Sequence, residues 1–254
     1  MDELRGDRAV WNFDGEAVSI RFLTGMFKDD MLKELGRCTV PVAAVAAVDF
    51  ELSDSKRKRW ALRLRMHERT DPYTAVGAML SEGSQPFQLV GPAKSELVAE
   101  YLADQIRFGA GRAAEEGARS ERGSPGPHLA TRLVPPLPLH IQTAEGTAAF
   151  DGSTVRLIWS GSSAGSRKKK AHRREYALAD ITGVEWVPSD GWEYGHLRLN
   201  TTEEVRPEVT KPKNDMACLL CDEGKEGAQT LMMAATITAH LWTRDQGTKG
   251  QLEA

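Results

Sequence analysis

Apolar and polar positions alternate with a period of two through much of the chain, and the alternation comes in two matching series. In Trp11-Asn12-Phe13-Asp14-Gly15-Glu16-Ala17-Val18-Ser19-Ile20-Arg21-Phe22, the apolar positions Val18, Ile20 and Phe22 follow an Asp-Gly pair. The phrase returns as Ala148-Ala149-Phe150-Asp151-Gly152-Ser153-Thr154-Val155-Arg156-Leu157-Ile158-Trp159, with Phe, Asp and Gly unchanged and the three apolar positions equally spaced. Successive side chains of a strand point to opposite faces, so each phrase predicts a hairpin with one buried face. Asp-Gly predicts a two-residue type I′ turn, since Gly accepts φ > 0 and Asp can enter the left-handed region.

The pattern continues in parallel. Leu23 to Arg37 has only scattered apolar residues; it has room for a helical turn but reads mainly as a long loop. A strand is expected from about Val45 to Leu52, and Trp60, Leu62, Leu64 and Met66 share one face of the next, with arginines opposite. Phe87 to Val90 reads as a short strand. Pro92 to Phe108 reads as a helix capped by Ser95, with Leu97, Val98, Tyr101, Leu102 and Ile106 inward and Glu96, Glu100, Asp104 and Arg107 outward. The second series answers with Tyr176 to Trp186, Leu197-Arg198-Leu199, Ala217 to Cys221, and a helix over Gly227 to Thr243. Its predicted apolar stripe is Leu231, Ala234, Ala235, Thr238, Leu241 and Trp242. Between the series lie Gly123-Ser124-Pro125-Gly126-Pro127 and Pro135-Pro136-Leu137-Pro138, which remove backbone donors and raise chain entropy. The organisation expected is a first repeat over 1–109, a linker over 110–137, a second repeat over 138–245 and a tail over 246–254. The fold class is mainly β (α+β): each repeat is an antiparallel open barrel or strongly bent sheet closed by one C-terminal helix.

Composition narrows the function classes. Hydrophobic content of 41% and charged content of 27% are those of an ordinary globular chain, and a net charge of −3 makes no global case for nucleic acid or membrane. The first residues lack an apolar stretch behind a basic start, and 3 Cys fit reduced thiols, so a cytoplasmic protein is expected. Cys218 and Cys221 form one Cys-x-x-Cys with no second pair to complete a zinc set, and the His residues are dispersed, so no metal or cofactor is expected.

Local features carry the rest. Arg167-Lys168-Lys169-Lys170-Ala171-His172-Arg173-Arg174 follows the serine- and glycine-rich stretch 160–166 and reads as a loop between strands. It would carry a strong positive potential, able to attract phosphate head groups or acidic protein. A charge run of this kind also serves simply to solvate a hairpin and blunt an edge strand. Lys56-Arg57-Lys58-Arg59 is a weaker instance in the first repeat. Neither run is interleaved with the aromatics that stack on bases, which argues against nucleic acid. Trp192 lies beside a turn and is expected to be more exposed than Trp60, Trp159, Trp186 and Trp242, as a residue for a protein partner. Gly161-Ser162-Ser163-Ala164-Gly165 matches a nucleophile elbow in letters but lacks a following acid and His on an α/β sheet.

Several stretches together resemble the actinobacterial domain-of-unknown-function family 4429: Trp11-Asn12-Phe13-Asp14-Gly15, Val40-Pro41-Val42-Ala43-Ala44-Val45, Leu62-Arg63-Leu64-Arg65, Asp71-Pro72, Ala99-Glu100-Tyr101-Leu102-Ala103, Pro138-Leu139 and Phe150-Asp151-Gly152. That resemblance implies tandem copies with a fold similar to pleckstrin-homology domains, no accepted catalytic residues and no established ligand. In pleckstrin-homology-like domains inositol phosphates are held by loops between early strands, where the basic run lies. The second copy has no counterpart of Asp71-Pro72. The expected function is a non-catalytic scaffold binding a protein partner or an anionic surface, cytoplasmic and able to lie against a membrane. The alternatives are a hydrolase with a site between the repeats, or a nucleic-acid-binding or structural subunit.

Overall fold

A computed structural model describes residues 3–23, 29–53, 58–78, 80, 82–119, 126–202 and 211–252. The chain divides into two compact units: Met1–Asp71 with Leu80–Leu133, and Pro72–Met79 with Val134–Ala254.

Unit 1 holds two antiparallel sheets. The first runs β1 (Leu4–Arg5), β2 (Ala9–Phe13), β3 (Ala17–Phe22) and β4 (Arg37–Pro41), with the helix α1 (Asp30–Leu35) before β4. The second runs β5 (Val45–Glu51), β6 (Arg59–Met66) and β7 (Gln88–Pro92), and α3 (Glu96–Arg119) closes it. The alternation read from the sequence places Trp60, Leu62 and Leu64 inside and the arginines of β6 outside.

Unit 2 repeats the plan. Its first sheet is β8 (Leu139–Gln142), β9 (Thr147–Phe150), β10 (Thr154–Ile158) and β11 (Arg173–Ala177), with α4 (Ser166–Ala171) before β11. Its second is β12 (Ile181–Val187), β13 (Gly195–Thr201) and β14 (Cys218–Cys221), closed by α5 (Lys225–Leu252). Both units carry a register shift at the start of the second sheet, at Val45/Ala47 and at Ile181/Gly183. The architecture is therefore mixed α+β and strand-rich, with four small antiparallel sheets and no closed barrel among the described residues.

Several expectations need correction. The Asp-Gly hairpins are not two-residue type I′ turns, because Asp14 and Asp151 keep negative φ while Gly15 and Gly152 sit at φ 102 and 101. The aspartates act through their side chains instead: Asp14 Oδ1 accepts from the N–H of Glu16 (2.9 Å) and Ala17 (2.8 Å), and Asp151 Oδ1 from those of Ser153 and Thr154 (2.8 Å each). These bonds hold both carboxyls below the usual carboxylate range. The long loop contains α1, nucleated by Asp29 Oδ1 accepting from Leu32 N at 3.0 Å and ended by Gly36 at φ 62.

The closing helices differ most from the expectation. α3 buries Ala99, Leu102, Ala103 and Ile106, while Leu97, Val98 and Tyr101 point outward at 81%, 51% and 66% exposed. Small Ala residues let the helix approach the sheet, and Arg107 Nε, donating to Val48 O at 3.1 Å, ties it to β5. Ser95 is no cap; its hydroxyl donates to Pro92 O. The helix also runs through Gly109 into the segment read as linker. A Cβ at Gly109 would stand 2.9 Å from Phe13 Cζ, so this glycine permits a close approach rather than breaking the helix. Past it, the Ala- and Glu-rich 113–116 continue as good helix formers. Further on, the 3-10 turn Pro127–Arg132 buries Leu129 and Ala130, so much of the expected linker is folded.

α5 is buried on nearly every side from Ala228 to Ala239, as befits a helix packed by several elements. One of these is α2 (Pro72–Val76), which lies within the first repeat's sequence but belongs to unit 2, with Tyr73 fully buried. The Asp71-Pro72 stretch without a counterpart in the second copy is thus the point where the chain leaves unit 1.

Candidate functional site

The basic run of unit 2 is not a loop. Residues 166–171 form α4, whose C-cap His172 takes φ 64 and whose last turn gathers Lys168, Lys169 and Lys170 where the helix dipole favours cations. Lys168 faces inward and is 0% exposed. Its Nζ donates to Glu145 Oε1 (2.9 Å) and Oε2 (3.0 Å), to Cys218 O (2.8 Å) and to Pro212 O (3.2 Å), and it sits 5.8 Å from the centre of the Trp159 ring. Glu145 Oε2 also accepts from Leu220 N at 2.7 Å. Burial pushes the Glu145 carboxyl up, against the opposing pull of the Leu220 N–H and of Lys168. Among the candidate ligands Lys168 is therefore corrected to a structural clamp. It ties α4, the start of β14 and the turn before β9 together, because a buried ammonium must spend its donors on fixed acceptors.

The other members of the run do reach solvent. Arg167, Lys169, Lys170, His172, Arg173 and Arg174 are all exposed. Lys169 Nζ donates to Ser162 O at 3.3 Å, and the Arg174 guanidinium lies 5.0 Å from the Tyr176 ring centre. Among the described residues none of these five Arg and Lys side chains has an acidic partner. They occupy one short helix and the start of β11, the edge of its sheet. Ser163 lies in the turn leading to α4, held by its N–H to Ala144 O at 3.2 Å. A Cβ at nearby Gly161 would collide with Ala144 O, so this turn is the tight roof over Glu145.

The equivalent corner of unit 1 is built differently. Leu32 occupies the place of Lys168, four residues before a positive-φ cap in both copies (Gly36, His172), and Arg8 stands one β-turn before β2 as Glu145 does before β9. Arg8 pairs with Asp29 at 3.3 Å and with Gly83 O, and Ser84 Oγ donates to Asp29 Oδ2 at 2.8 Å. The Arg8 side chain is 43% exposed. Here the corner stays open: a cleft of about 640 Å³ is lined by Arg8 and Leu32, by the outward Arg59, Arg63 and Arg65 of β6, and by Asp7, Asp49 and Glu51. Arg59 pairs with Asp7 and Arg65 with Asp49, while Arg63 Nη2 donates to Gln88 Oε1 at 3.3 Å. Its charges are largely matched within its own walls.

Of the first repeat's basic run, Arg59 lines this cleft, Lys58 is exposed at φ 48, and Lys56 and Arg57 lie outside the described residues. Trp192 is 95% exposed. Its turn is rigid, because Asp190 Oδ1 accepts from the N–H of Trp192 (2.9 Å) and Glu193 (2.7 Å) and Ser189 Oγ donates to Glu193 O (2.9 Å). Within unit 2 the basic run lies on α4 and the start of β11 and Trp192 on the β12–β13 turn, while Arg59 belongs to unit 1.

Sequence reasoning missed Glu145 as the partner of Lys168, and Arg8, Arg63 and Arg65 as cleft residues. One signal was available: aligning the repeats sets Lys168 against the apolar Leu32, and a lysine at a buried apolar position demands a carboxylate. Cys38, Cys218 and Cys221 are free and buried. Burial raises all three thiols, Cys38 to about 12 and Cys221 to about 11. Among the described residues no group of three or more His, Cys, Asp or Glu is arranged to hold a metal, and no helix is long and apolar enough to cross a membrane.

The duplicated plan has its match among known sequences. The family model described as "Domain of unknown function (DUF4429)" matches residues 11–107 and again 148–238, one match per repeat and together most of the chain. The chain belongs to this family. It matches no curated protein.

Proposed function

From membership of the DUF4429 family as a tandem pair, we propose that each unit is a pleckstrin-homology-like module and that the chain is a non-catalytic adaptor. The fold reading is supported in each unit by a four-stranded and a three-stranded antiparallel sheet followed by a closing helix. The adaptor docks on an anionic, phosphate-bearing surface through Arg167, Lys169, Lys170, Arg173 and Arg174. The observation that carries this is the grouping on α4 and the β11 edge of five exposed cations that have no acidic partner among the described residues, fixed to the unit by the buried Lys168 clamp. Anchored cations of this kind attract phosphate at about 1 kcal/mol each near an anionic surface.

The test is flotation with anionic and neutral liposomes at low and moderate salt. It compares the chain with a variant carrying Arg167→Ser, Lys169→Ser and Lys170→Ser and keeping Lys168. Salt-sensitive flotation with anionic vesicles, weakened about a hundredfold in the variant, is the expected result. Equal binding by both proteins, or none by either, removes this surface from the function.

A second reading rests on Trp192, held out of the fold by a rigid turn together with the half-exposed Tyr194. Asp190 and Glu193 flank it on the turn, and Glu223 lies nearby, its Oε2 within 3.7 Å of where a Cβ on Gly191 would stand. An aromatic pair among carboxylates fits a basic protein segment rather than a membrane.

A further inference from the structure

The open cleft of unit 1 and the sealed corner of unit 2 are one place in two copies of the same plan. Gly6 N donates to Ala9 O at 3.0 Å where Thr143 N donates to Gly146 O at 2.7 Å, so Arg8 and Glu145 hold the third position of the same turn. The next bonds agree: Arg8 O accepts from Leu23 N at 2.7 Å, just past β3, and Glu145 O from Gly161 N at 2.9 Å, just past β10. In the sheet register Ala61 lies between Glu51 and Val90, as His196 lies between Val187 and Leu220. Arg8, Leu32 and Ala61 therefore stand where unit 2 has Glu145, Lys168 and His196. Those three residues of unit 2 are 1%, 0% and 8% exposed and fill their corner. With leucine for the lysine and alanine for the histidine, unit 1 keeps a cleft of about 640 Å³. That lies within the roughly 300–1,000 Å³ of small-ligand sites.

The walls select the ligand. Arg59 is paired with Asp7 and Arg65 with Asp49, so these arginines are already neutralised and do not favour a polyanion. Arg8 is engaged at one end only. Its bonds to Asp29 and to Gly83 O are both made by Nη1, and neither Nε nor Nη2 has an acceptor among the described residues. Those two N–H groups form the side-on fork that grips both oxygens of one carboxylate. The guanidinium is held before any ligand arrives, since Asp29 is itself fixed by the Ser84 hydroxyl and by capping α1. The apolar lining is Phe22, Leu32, Ala61 and Leu89, together with Leu52, which is 61% exposed.

We infer that the cleft of unit 1 binds a small organic monocarboxylate, its carboxyl group held by Arg8 and its apolar body laid on Phe22, Leu32, Ala61 and Leu89. Unit 2 takes no such ligand, because Lys168 and Glu145 complete each other inside its corner. The site is in the other unit from the cations of α4, and it stands or falls independently of the adaptor reading.

Methyl NMR of the full chain, labelled at Ala and Leu, tests this. The probes are hydrocinnamate, indoleacetate and isocaproate, each set against its neutral amide, and phenyl phosphate. Saturable shifts of the Leu32, Ala61 and Leu89 methyls with the acids and not with the amides are expected, while Leu199 of unit 2 stays unmoved. Arg8→Met should weaken acid binding by about ten- to a hundredfold. The Arg8 side chain is 43% exposed, so this variant should keep its fold, which its unshifted core methyls would report. Ala61→Phe leaves Arg8 in place, fills the cleft and should abolish binding. No shift with any of the acids overturns the inference. So do amides that bind as well as the acids, phenyl phosphate that binds more tightly than they do, or acid binding indifferent to Arg8→Met or to Ala61→Phe.

Discussion

Both units build a corner from the first sheet, the short helix and the last strand, and they furnish it with opposite chemistry. Unit 2 fills the place with Lys168 and Glu145, both with 0% of their side chains exposed, and the corner is sealed. Unit 1 puts Leu32 and Arg8 there, the arginine reaches outward to Asp29, and a cleft of about 640 Å³ remains. One backbone plan therefore supports an ion pair that is structure and an ion pair that is surface. The lesson is that a basic residue's role follows from the direction its backbone gives it. Lys168 and Lys169 are neighbours in sequence, yet one is a clamp and the other faces solvent.

The largest effect expected from that contrast is at the clamp. Lys168→Ala leaves the Glu145 carboxylate buried with only the Leu220 N–H, and should cost unit 2 about 3–5 kcal/mol. Arg8→Ala, at the equivalent corner, removes a part-exposed pair and should cost no more than about 1 kcal/mol. Urea unfolding of the two variants measures the difference. Replacing both clamp residues together, Lys168→Met with Glu145→Leu, should recover a large part of the loss, since no unpaired charge remains. If Lys168→Ala is as mild as Arg8→Ala, the clamp is not what holds this corner.

The second contrast is in what packs on the closing helices. α2 packs on α5 and its Tyr73 is fully buried in unit 2, whereas Tyr101 of α3 is 66% exposed. Tyr73→Ala should destabilise by about 3 kcal/mol, as for a large core aromatic. Tyr101→Ala should stay within about 0.5 kcal/mol, as for a surface change. Thermal melting of both variants checks this. Equal losses would mean that the outer side of α3 is as enclosed as that of α5.

These contrasts also mark what the chain discloses before it folds. The repeated hairpin, the second-sheet strands and the two closing helices are legible because period-2 and helical patterns are local. Gly109 misled because a glycine that breaks a helix and one that lets it touch Phe13 look the same in sequence. The inward face of α3 misled because Ala99 and Ala103 are weaker apolar signals than Leu97 and Tyr101, although the sheet has room only for the smaller pair. At the candidate site the exposed Arg167, Lys169, Lys170, Arg173 and Arg174 and the exposed Trp192 could be named. The burial of Lys168 could not, since it depends on Glu145 and on the carbonyls of Pro212 and Cys218, all distant along the chain.

The smallest effect is expected where the comparison predicts no difference. Asp14 and Asp151 make the same side-chain bonds to the backbone of the same turn, followed by Gly15 and Gly152 at nearly equal φ. Both carboxyls are held below the usual carboxylate range by those N–H groups. A carboxyl whose pKa is depressed on folding adds stability above its unfolded pKa, and that stability is lost as pH falls through the folded value. Each aspartate should therefore support its turn at neutral pH and lose that support in acid below the ordinary aspartate range. Asp14→Ala and Asp151→Ala should each cost about 1 kcal/mol at neutral pH, by analogy with a lost side-chain cap. In acid, where the carboxyl of the unsubstituted chain is protonated, that gap should narrow for both. Urea unfolding at the two pH values reads it directly. A gap that closes for one aspartate and not the other would mean that the two copies have diverged even at the hairpin they share.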